Sequence, residues 1–145
     1  MRRGTLVDMI VDGGLELLTD EQAWGLLAGS EVGRIGITMG AMPAIFPVNY
    51  RLVDGAVVFR TAPGSKLSAA AAGAVVAFEV DDYGVDDRSG WSVLAIGRAE
   101  VVDDVAVVDR VTATGLTPFV DGTGQAVVRI EPTFLSGRRI VHVPD

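Results

Sequence analysis

The sequence predicts a mainly β protein in which a small antiparallel barrel carries short helices. Segments with a strand pattern outnumber segments with a helical pattern, and the short connections between them are typical of antiparallel neighbours. Asp54-Gly55, between the apolar segments LV and AVVF, is the strongest short-range signal for a β-hairpin. A length of 145 residues favours a single domain.

The chain is predicted to begin with an N-terminal arm at residues 1–17, because this stretch has no clear hydrophobic period and acidic residues interrupt it. A helix is predicted to follow. Thr19 and Gln22 have the spacing of a capping box, and Gly29 is expected to end the helix. The folded domain is therefore predicted over residues 18–145.

The strands are predicted from β-branched residues and from the turn residues that bound them. They cover residues 32–39, 44–53, 56–61, 74–82, 91–102, 125–132 and 133–143. Pro47 lies inside the second of these segments and has no N–H for a ladder hydrogen bond. That strand is therefore predicted to be kinked, bulged or at the edge of a sheet near Pro47.

Two further helices are predicted between the strands. In the segment SKLSAAAAG, Ser65 suits the N-cap of a short helix and Gly73 suits its C-terminal stop. Residues 103–113 are predicted to form the other helix, with Asp103 or Asp104 as its N-cap.

Composition limits the classes of function. The net charge is −7, from 12 Lys and Arg against 19 Asp and Glu, which disfavours non-specific binding to nucleic acid or to an anionic membrane. The chain has no cysteine and one histidine, His142, so neither a disulfide framework nor a metal cluster is expected. No stretch approaches the roughly 20 apolar residues of a membrane span. A cytoplasmic location is the default expectation.

The segment FRTAPGSKL, residues 59–67, holds the one lysine of the chain, Lys66, close to Arg60. A guanidinium, an ammonium, the hydroxyls of Thr61 and Ser65 and the amides of a helix start are all groups that bind phosphate. Their density predicts an anion site. The same residues also fit a simple strand-to-helix connection in which the cations complement nearby acids.

A phosphate alone would not give useful affinity at such a site. Two or three charge-assisted hydrogen bonds contribute about 1.5–3 kcal/mol each, whereas a micromolar Kd requires about 8 kcal/mol net of the ordering cost. The ligand is therefore expected to carry a large flat or apolar body as well as a phosphate.

The order of several motifs resembles the pyridoxamine 5′-phosphate oxidase-like, flavin-binding split-barrel family, and in particular its short bacterial branch with the nitroimidazole-reductase-type proteins. These motifs are PVNY (47–50), the Asp-Gly hairpin, VVFRTAPGSKL (57–67), VAFEVD (76–81) and GWSVLAIGRAE (90–100). The resemblance implies a six-stranded antiparallel split β-barrel that forms a homodimer and binds FMN in a cleft between the subunits.

The resemblance also implies roles for ten residues in cofactor binding, and none for a catalytic side chain or a metal. The segment around Arg60 resembles the phosphate-binding segment of the family, the strand around Asn49 would run along the flavin ring with its backbone, and Trp91 would reach the flavin from the partner subunit. The full set is Pro47, Val48, Asn49, Tyr50, Arg60, Thr61, Ser65, Lys66, Trp91 and Ser92.

Two departures from the family pattern concern the substrate. Pyridoxamine phosphate oxidases carry an Arg-x-His-type motif in a longer C-terminal segment, and this chain has only Arg139-Ile140-Val141-His142 there. The nitroimidazole-reductase branch is expected to have a histidine near the position of Arg60. Neither substrate class can therefore be transferred from the resemblance.

An FMN-dependent oxidoreductase is the function that the resemblance favours, with a small-molecule substrate and a nicotinamide nucleotide as a candidate reductant. Flavin chemistry takes place on the ring, which agrees with the absence of an obvious acid–base pair in the sequence. The polar loops at residues 83–90 and 114–124 would form the substrate side of the cleft.

Two alternatives remain open on the same fold. One is a reductase that uses the deazaflavin coenzyme F-420, for whose acidic tail the sequence offers only the scattered Arg51, Arg88 and Arg98. The other is a non-catalytic flavin- or haem-binding protein, although a haem site would need an axial histidine.

Overall fold

The computed structural model describes residues 15–86, 88–118 and 126–140. Within these ranges it has three helices and eight strands. The helices are α1 (Asp20–Ala28), α2 (Lys66–Ala71) and α3 (Val105–Ala113). The strands are β1 (Leu15–Leu18), β2 (Val32–Met39), β3 (Met42–Asn49), β4 (Arg51–Val53), β5 (Ala56–Thr61), β6 (Val75–Tyr83), β7 (Gly90–Val102) and β8 (Ala126–Ile140).

The strands form one antiparallel sheet in the order β3-β2-β6-β7-β8-β5-β4, and β1 pairs with the C-terminal end of β8. β3 and β4 lie at opposite ends of this order, yet Tyr50 alone separates them in the chain. The sheet must therefore curl until its two edges are adjacent, which is the geometry of a split barrel. The predicted mainly β, antiparallel fold is confirmed.

The described residues contain eight strands where the resemblance implied six. β1 begins at Leu15, inside the predicted arm of residues 1–17. Its four residues pair with Gly137–Ile140 of β8, so this part of the arm belongs to the sheet. The prediction of one strand over residues 44–53 is wrong, because Tyr50 crosses from one edge of the sheet to the other. β4 is consequently a separate strand of three residues.

The two strands predicted over residues 125–143 are instead one. β8 runs for 15 residues and pairs with the 13-residue β7 along that strand's whole length. The register shifts between Ile96 and Gly97, so that Thr133 is the extra residue of a β-bulge. A Cβ atom at Gly97 would lie 2.3 Å from the carbonyl oxygen of Glu131, which explains why glycine occupies this position.

Several local predictions are confirmed. In the capping box of α1, the Gln22 amide donates to Thr19 Oγ1 at 3.1 Å and the Thr19 amide donates to Gln22 Oε1 at 2.9 Å. The hairpin turn has φ values of 51° at Asp54 and 75° at Gly55, the left-handed pair that a two-residue turn of this kind requires. Pro47 lies on β3, which is an edge strand.

The interior of the curled sheet holds the main core. Its members are Tyr50, between β3 and β4, and buried residues of the strands and of α1 and α2: Ala23, Leu27, Ile35, Ile37, Val48, Val57, Phe59, Ala71, Val76, Phe78, Val80, Val93, Ala95, Ala99, Val128, Ile130 and Leu135. The side chains that alternate with them along each strand point to the outer face. None of the helices in the described ranges is long and apolar enough to cross a membrane.

α3 packs on the outer face, over β5 and β8. Val111 of α3 and Leu116 after it contact Val58 and Val127 and form a second, smaller core. Asp104 caps this helix by accepting a hydrogen bond from the Ala106 amide at 2.9 Å, which confirms one of the two predicted caps. The chain after α3 is thereby held close to the end of β5.

Candidate functional site

The turn after β5 is built by the two hydroxyl residues of the predicted phosphate segment. Gly64 has φ of 71°, which lets the chain reverse into α2. Ser65 caps α2 by accepting from the Ser68 amide at 3.1 Å, and its hydroxyl lies 3.2 Å from the Thr61 hydroxyl. Both hydroxyls therefore have a structural role in shaping this corner, which we define as residues 60–66.

The two cations of the corner differ in their surroundings. Lys66 is the first residue of α2 and is exposed. Arg60 is half-buried, and its Nη1 donates to the carbonyl oxygen of Leu116 at 3.0 Å. α2 has only six residues, so its macrodipole adds little to the attraction of an anion. The positive charge of the corner comes from these two side chains.

Arg60 and Thr61 lie on opposite faces of β5, because adjacent residues of a strand point in opposite directions. Arg60 shares the outer face with Val58, whereas Thr61 is buried on the inner face with Phe59. The predicted donors thus form two groups at the end of β5, the guanidinium on one side and the Thr61–Ser65 hydroxyl pair on the other.

Asn49 reaches the same part of the molecule from β3. Its Nδ2 donates to the carbonyl oxygen of Thr117 at 3.5 Å, next to the Leu116 carbonyl that Arg60 contacts. Leu116 is buried, so the segment after α3 is anchored at this point. These two carbonyls could not be predicted from the sequence, because a backbone group binds through its position rather than its residue type.

The other residues of the segment 47–50, which was predicted to run along the flavin ring, differ in their burial. Pro47 is exposed, Val48 is buried in the core, and the Tyr50 side chain is completely buried. The backbone of Tyr50 is also engaged, since its amide donates to the Glu31 carbonyl at 3.0 Å and its carbonyl accepts from Arg51 Nη1 at 2.9 Å. A planar ligand along β3 would therefore meet residues 47–49 rather than Tyr50.

The structure does not bring Trp91 and Ser92 to this corner within one chain. Trp91 pairs with Arg139 at one end of β7, whereas Val102 at the other end pairs with Val127, the partner of Arg60. At about 3.3 Å per residue, the length of β7 from Trp91 to Val102 is roughly 35 Å along the strand. Both residues line a separate cavity of about 230 Å³ together with Tyr83.

A further cavity lies on the outer face of β2, β3 and β6, and it was not predicted from the sequence. Its volume is about 380 Å³, and its lining includes Gly36, Ile45 and Ala77. At one side, Arg34 Nη1 lies 3.8 Å from Glu79 Oε1 and 3.8 Å from Asp81 Oδ2. Only the i, i+2 spacing of the two acids on one strand could have indicated this cluster.

Within this cluster, Glu79 is the group whose pKa is shifted from its ordinary value. Partial burial and the neighbouring Asp81 carboxylate raise the pKa of Glu79 to about 7, while Arg34 and Arg138 act in the opposite direction. The carboxyl group therefore changes its charge near neutral pH. Arg138 is held on the other side of the acids, where its Nε donates to Ser92 Oγ at 3.2 Å.

Comparison with known proteins assigns the chain to a family. The family model described as pyridoxamine 5′-phosphate oxidase matches residues 19–139. The chain belongs to this family. Loop residues 119–124 lie outside the described residues, and of the C-terminal segment 139–142 the structure describes Arg139 and Ile140 but not His142.

Proteins of Mycobacterium and Corynebacterium species are similar to the chain over most of its length. An uncharacterized protein of Mycobacterium tuberculosis is 43% identical over 129 residues, which cover 86% of this chain and 84% of that one. A Mycobacterium smegmatis structure described as a FAD binding protein has a TM-score of 0.71 and 36% identity, covering 87% of this chain and 98% of that one. A Corynebacterium diphtheriae protein described as of unknown function has a TM-score of 0.73 and 32% identity, covering 88% and 99%.

Proposed function

We propose that this protein is a flavin-dependent oxidoreductase that binds FMN, or the FMN half of FAD, and acts on a small molecule. Membership of the pyridoxamine 5′-phosphate oxidase family supports the proposal, as does similarity to a mycobacterial protein described as binding FAD. The flavin supplies the hydride chemistry when it is bound, and the protein holds and orients it.

The observation that carries the proposal is the composition of the corner at residues 60–66. In a chain with a net charge of −7, Arg60 and Lys66 flank a turn at the end of one strand. Two cations at one turn suit a phosphate group, which binds through charge-assisted hydrogen bonds, while the Thr61–Ser65 hydroxyl pair shapes the turn. The donor set therefore fits the phosphate of a flavin nucleotide.

The neighbouring edge strand suits the body of such a ligand. Among the described strands β3 pairs only with β2, so the other edge of residues 47–49 has no ladder partner among them. Asn49 connects this strand with the segment after α3, next to Arg60. In the proposed site, Arg60 and Lys66 hold the phosphate, and residues 47–49 lie along the ring.

A second copy of the chain is part of the proposal. Trp91 and Ser92 are too far from the corner to contribute to it within one chain, since β7 separates them from it. If they contact the flavin, they do so from the other subunit of a homodimer. A planar ligand bound outside a filled barrel also gains its second wall in this way.

Titration of the purified protein with FMN, FAD, riboflavin and coenzyme F-420 tests the proposal. We expect FMN or FAD to bind more tightly than coenzyme F-420. The double variant Arg60→Ala/Lys66→Ala should bind FMN at least about tenfold more weakly, because it loses charge-assisted bonds of about 1.5–3 kcal/mol each. Its affinity for riboflavin, which has no phosphate, should remain that of the unmodified protein.

Arg110→Ala is the matched control for this experiment. Arg110 is an exposed arginine of α3 whose only described ion pair, with Asp54, is a 4.0 Å surface contact. An equal loss of FMN affinity in this variant, or unchanged affinity in the double variant, would remove the phosphate assignment. Anaerobic reduction of the bound flavin by NADH or NADPH then tests the oxidoreductase part, and a flavin that neither donor reduces would favour a non-catalytic binding protein.

A further inference from the structure

The segment that follows α3, residues 114–117, lies between the two edges of the curled sheet. On one side Arg60, near the end of β5, donates from Nη1 to the Leu116 carbonyl at 3.0 Å. On the other side Asn49, at the end of β3, donates from Nδ2 to the next carbonyl, that of Thr117, at a longer 3.5 Å. β3 is one edge of the strand order, and β5 is next to the other edge, β4. The segment therefore connects the phosphate side of the proposed flavin site with its ring side.

Leu116 is held in place by the packing of its side chain. This side chain is 1% exposed and contacts Val58, which points to the same face of β5 as Arg60, two residues further on. Val111 of α3 and Val127 of β8 complete the contact. The carbonyl that receives the guanidinium thus belongs to a residue anchored in a packed core. Arg60, in contrast, is a long side chain that has much rotamer freedom to lose.

Gly115 sets the direction of the chain between α3 and Leu116. Its φ is 84°, in the left-handed region that favours glycine, and its amide donates to the Thr112 carbonyl at 3.0 Å. A Cβ atom at this position would meet nothing within 4 Å, so the requirement for glycine is conformational rather than steric. A substitution at Gly115 therefore disturbs the path of the backbone to the Leu116 carbonyl without removing a packed side chain or a charge.

We propose that Leu116 and the turn at Gly115 position Arg60 for a phosphate group, so that α3 controls how well the protein selects a phosphorylated flavin. The bond to Leu116 uses one of the five N–H donors of the guanidinium and fixes the direction of the whole fork. A side chain that is already ordered loses less conformational freedom when it binds an anion. The proposal rests on the proposed function, because it takes Arg60 as a phosphate ligand. Leu116 and Gly115 are positioning residues that act through Arg60.

The ratio of the Kd for riboflavin to the Kd for FMN measures selection of the phosphate and tests the proposal. Gly115→Ala and Leu116→Ala should each lower this ratio about three- to tenfold, which is the cost of ordering one long side chain on binding. The change should lie in the Kd for FMN, with riboflavin bound as by the unmodified protein. In an Arg60→Ala background neither substitution should change the ratio further, because the side chain through which they act is absent.

Two control variants separate positioning from general destabilisation. Gly40→Ala is matched to Gly115→Ala: Gly40 has φ of 63°, a Cβ there also meets nothing within 4 Å, and its turn lies at the opposite end of β3 from Asn49. Leu135→Ala is matched to Leu116→Ala, because it truncates a fully buried leucine of the main core. Both controls should lower the free energy of unfolding and leave the ratio unchanged. Circular dichroism establishes that each variant is folded during the titrations.

Several outcomes would overturn the proposal. They are an unchanged ratio in the folded Gly115→Ala protein, an equal loss in the two controls, and a loss of the same size in the Arg60→Ala background. Each of these leaves the proposed function standing as long as FMN binding depends on Arg60. An unmodified protein that binds FMN no more tightly than riboflavin, or binds neither, would instead contradict the proposed function, and the positioning role with it.

Discussion

Tyr50 donates its phenol hydrogen to the backbone carbonyl of Leu27 at 2.6 Å, and this bond ties the crossing point of the barrel to α1. The ring also packs edge-on against Phe78, with centroids 4.8 Å apart. Burial raises the pKa of Tyr50 to about 12, so the phenol remains a donor at every pH at which the protein is used. The tyrosine of PVNY thus closes the split barrel with its side chain.

Tyr50→Phe should therefore destabilise the fold without changing flavin affinity. Removing the hydroxyl takes one donor from the Leu27 carbonyl, which keeps the Ser30 amide at 3.3 Å, so the expected loss is the net value of one hydrogen bond, about 0.5–1.5 kcal/mol. Urea unfolding measures the loss, and flavin titration should match the unmodified protein. Tyr83→Phe is the control, because Tyr83 is an exposed tyrosine. A loss of flavin affinity with unchanged stability would mean that the Tyr50 side chain faces the ligand.

Ser65 and Lys66 are adjacent, and we expect their substitution to have separable effects. Ser65→Ala removes the N-cap of α2 and the contact with Thr61, and should lower the free energy of unfolding by about 1 kcal/mol. Lys66→Ala should leave stability within about 0.5 kcal/mol and weaken FMN binding, because Lys66 is exposed. Thermal unfolding and FMN titration of both variants check this. A Lys66→Ala protein that is destabilised but binds FMN normally would contradict it.

Local chemistry explains which elements could be predicted from the sequence. The Thr19 capping box, the Asp54-Gly55 turn and the Ser65 cap each depend on residues at most three positions apart, and all three are present as predicted. Pro47 restricted its strand to an edge for an equally local reason, its missing N–H.

The features that could not be predicted depend on contacts between distant residues. Tyr50 lies in a β-rich segment, and nothing in that segment shows that the chain leaves one sheet edge for the other there. Two strands were predicted to meet between Pro132 and Thr133, whereas the bulge opposite Ile96 and Gly97 lets one strand, β8, run through both residues. In the same way, Arg34 and Glu79 are 45 positions apart in the chain and meet only through the register of β2 and β6.

Gly97→Ala should destabilise the protein, because the new Cβ would lie 2.3 Å from the Glu131 carbonyl oxygen and 2.9 Å from its carbon. Backbone at a bulge has little room to move, so we expect a loss of about 1–3 kcal/mol in urea unfolding. Gly25→Ala is a control of opposite sign. A Cβ at Gly25 meets nothing within 4 Å, and alanine in a helix is favoured over glycine by about 0.5–1 kcal/mol. Equal effects of the two substitutions would contradict the bulge argument.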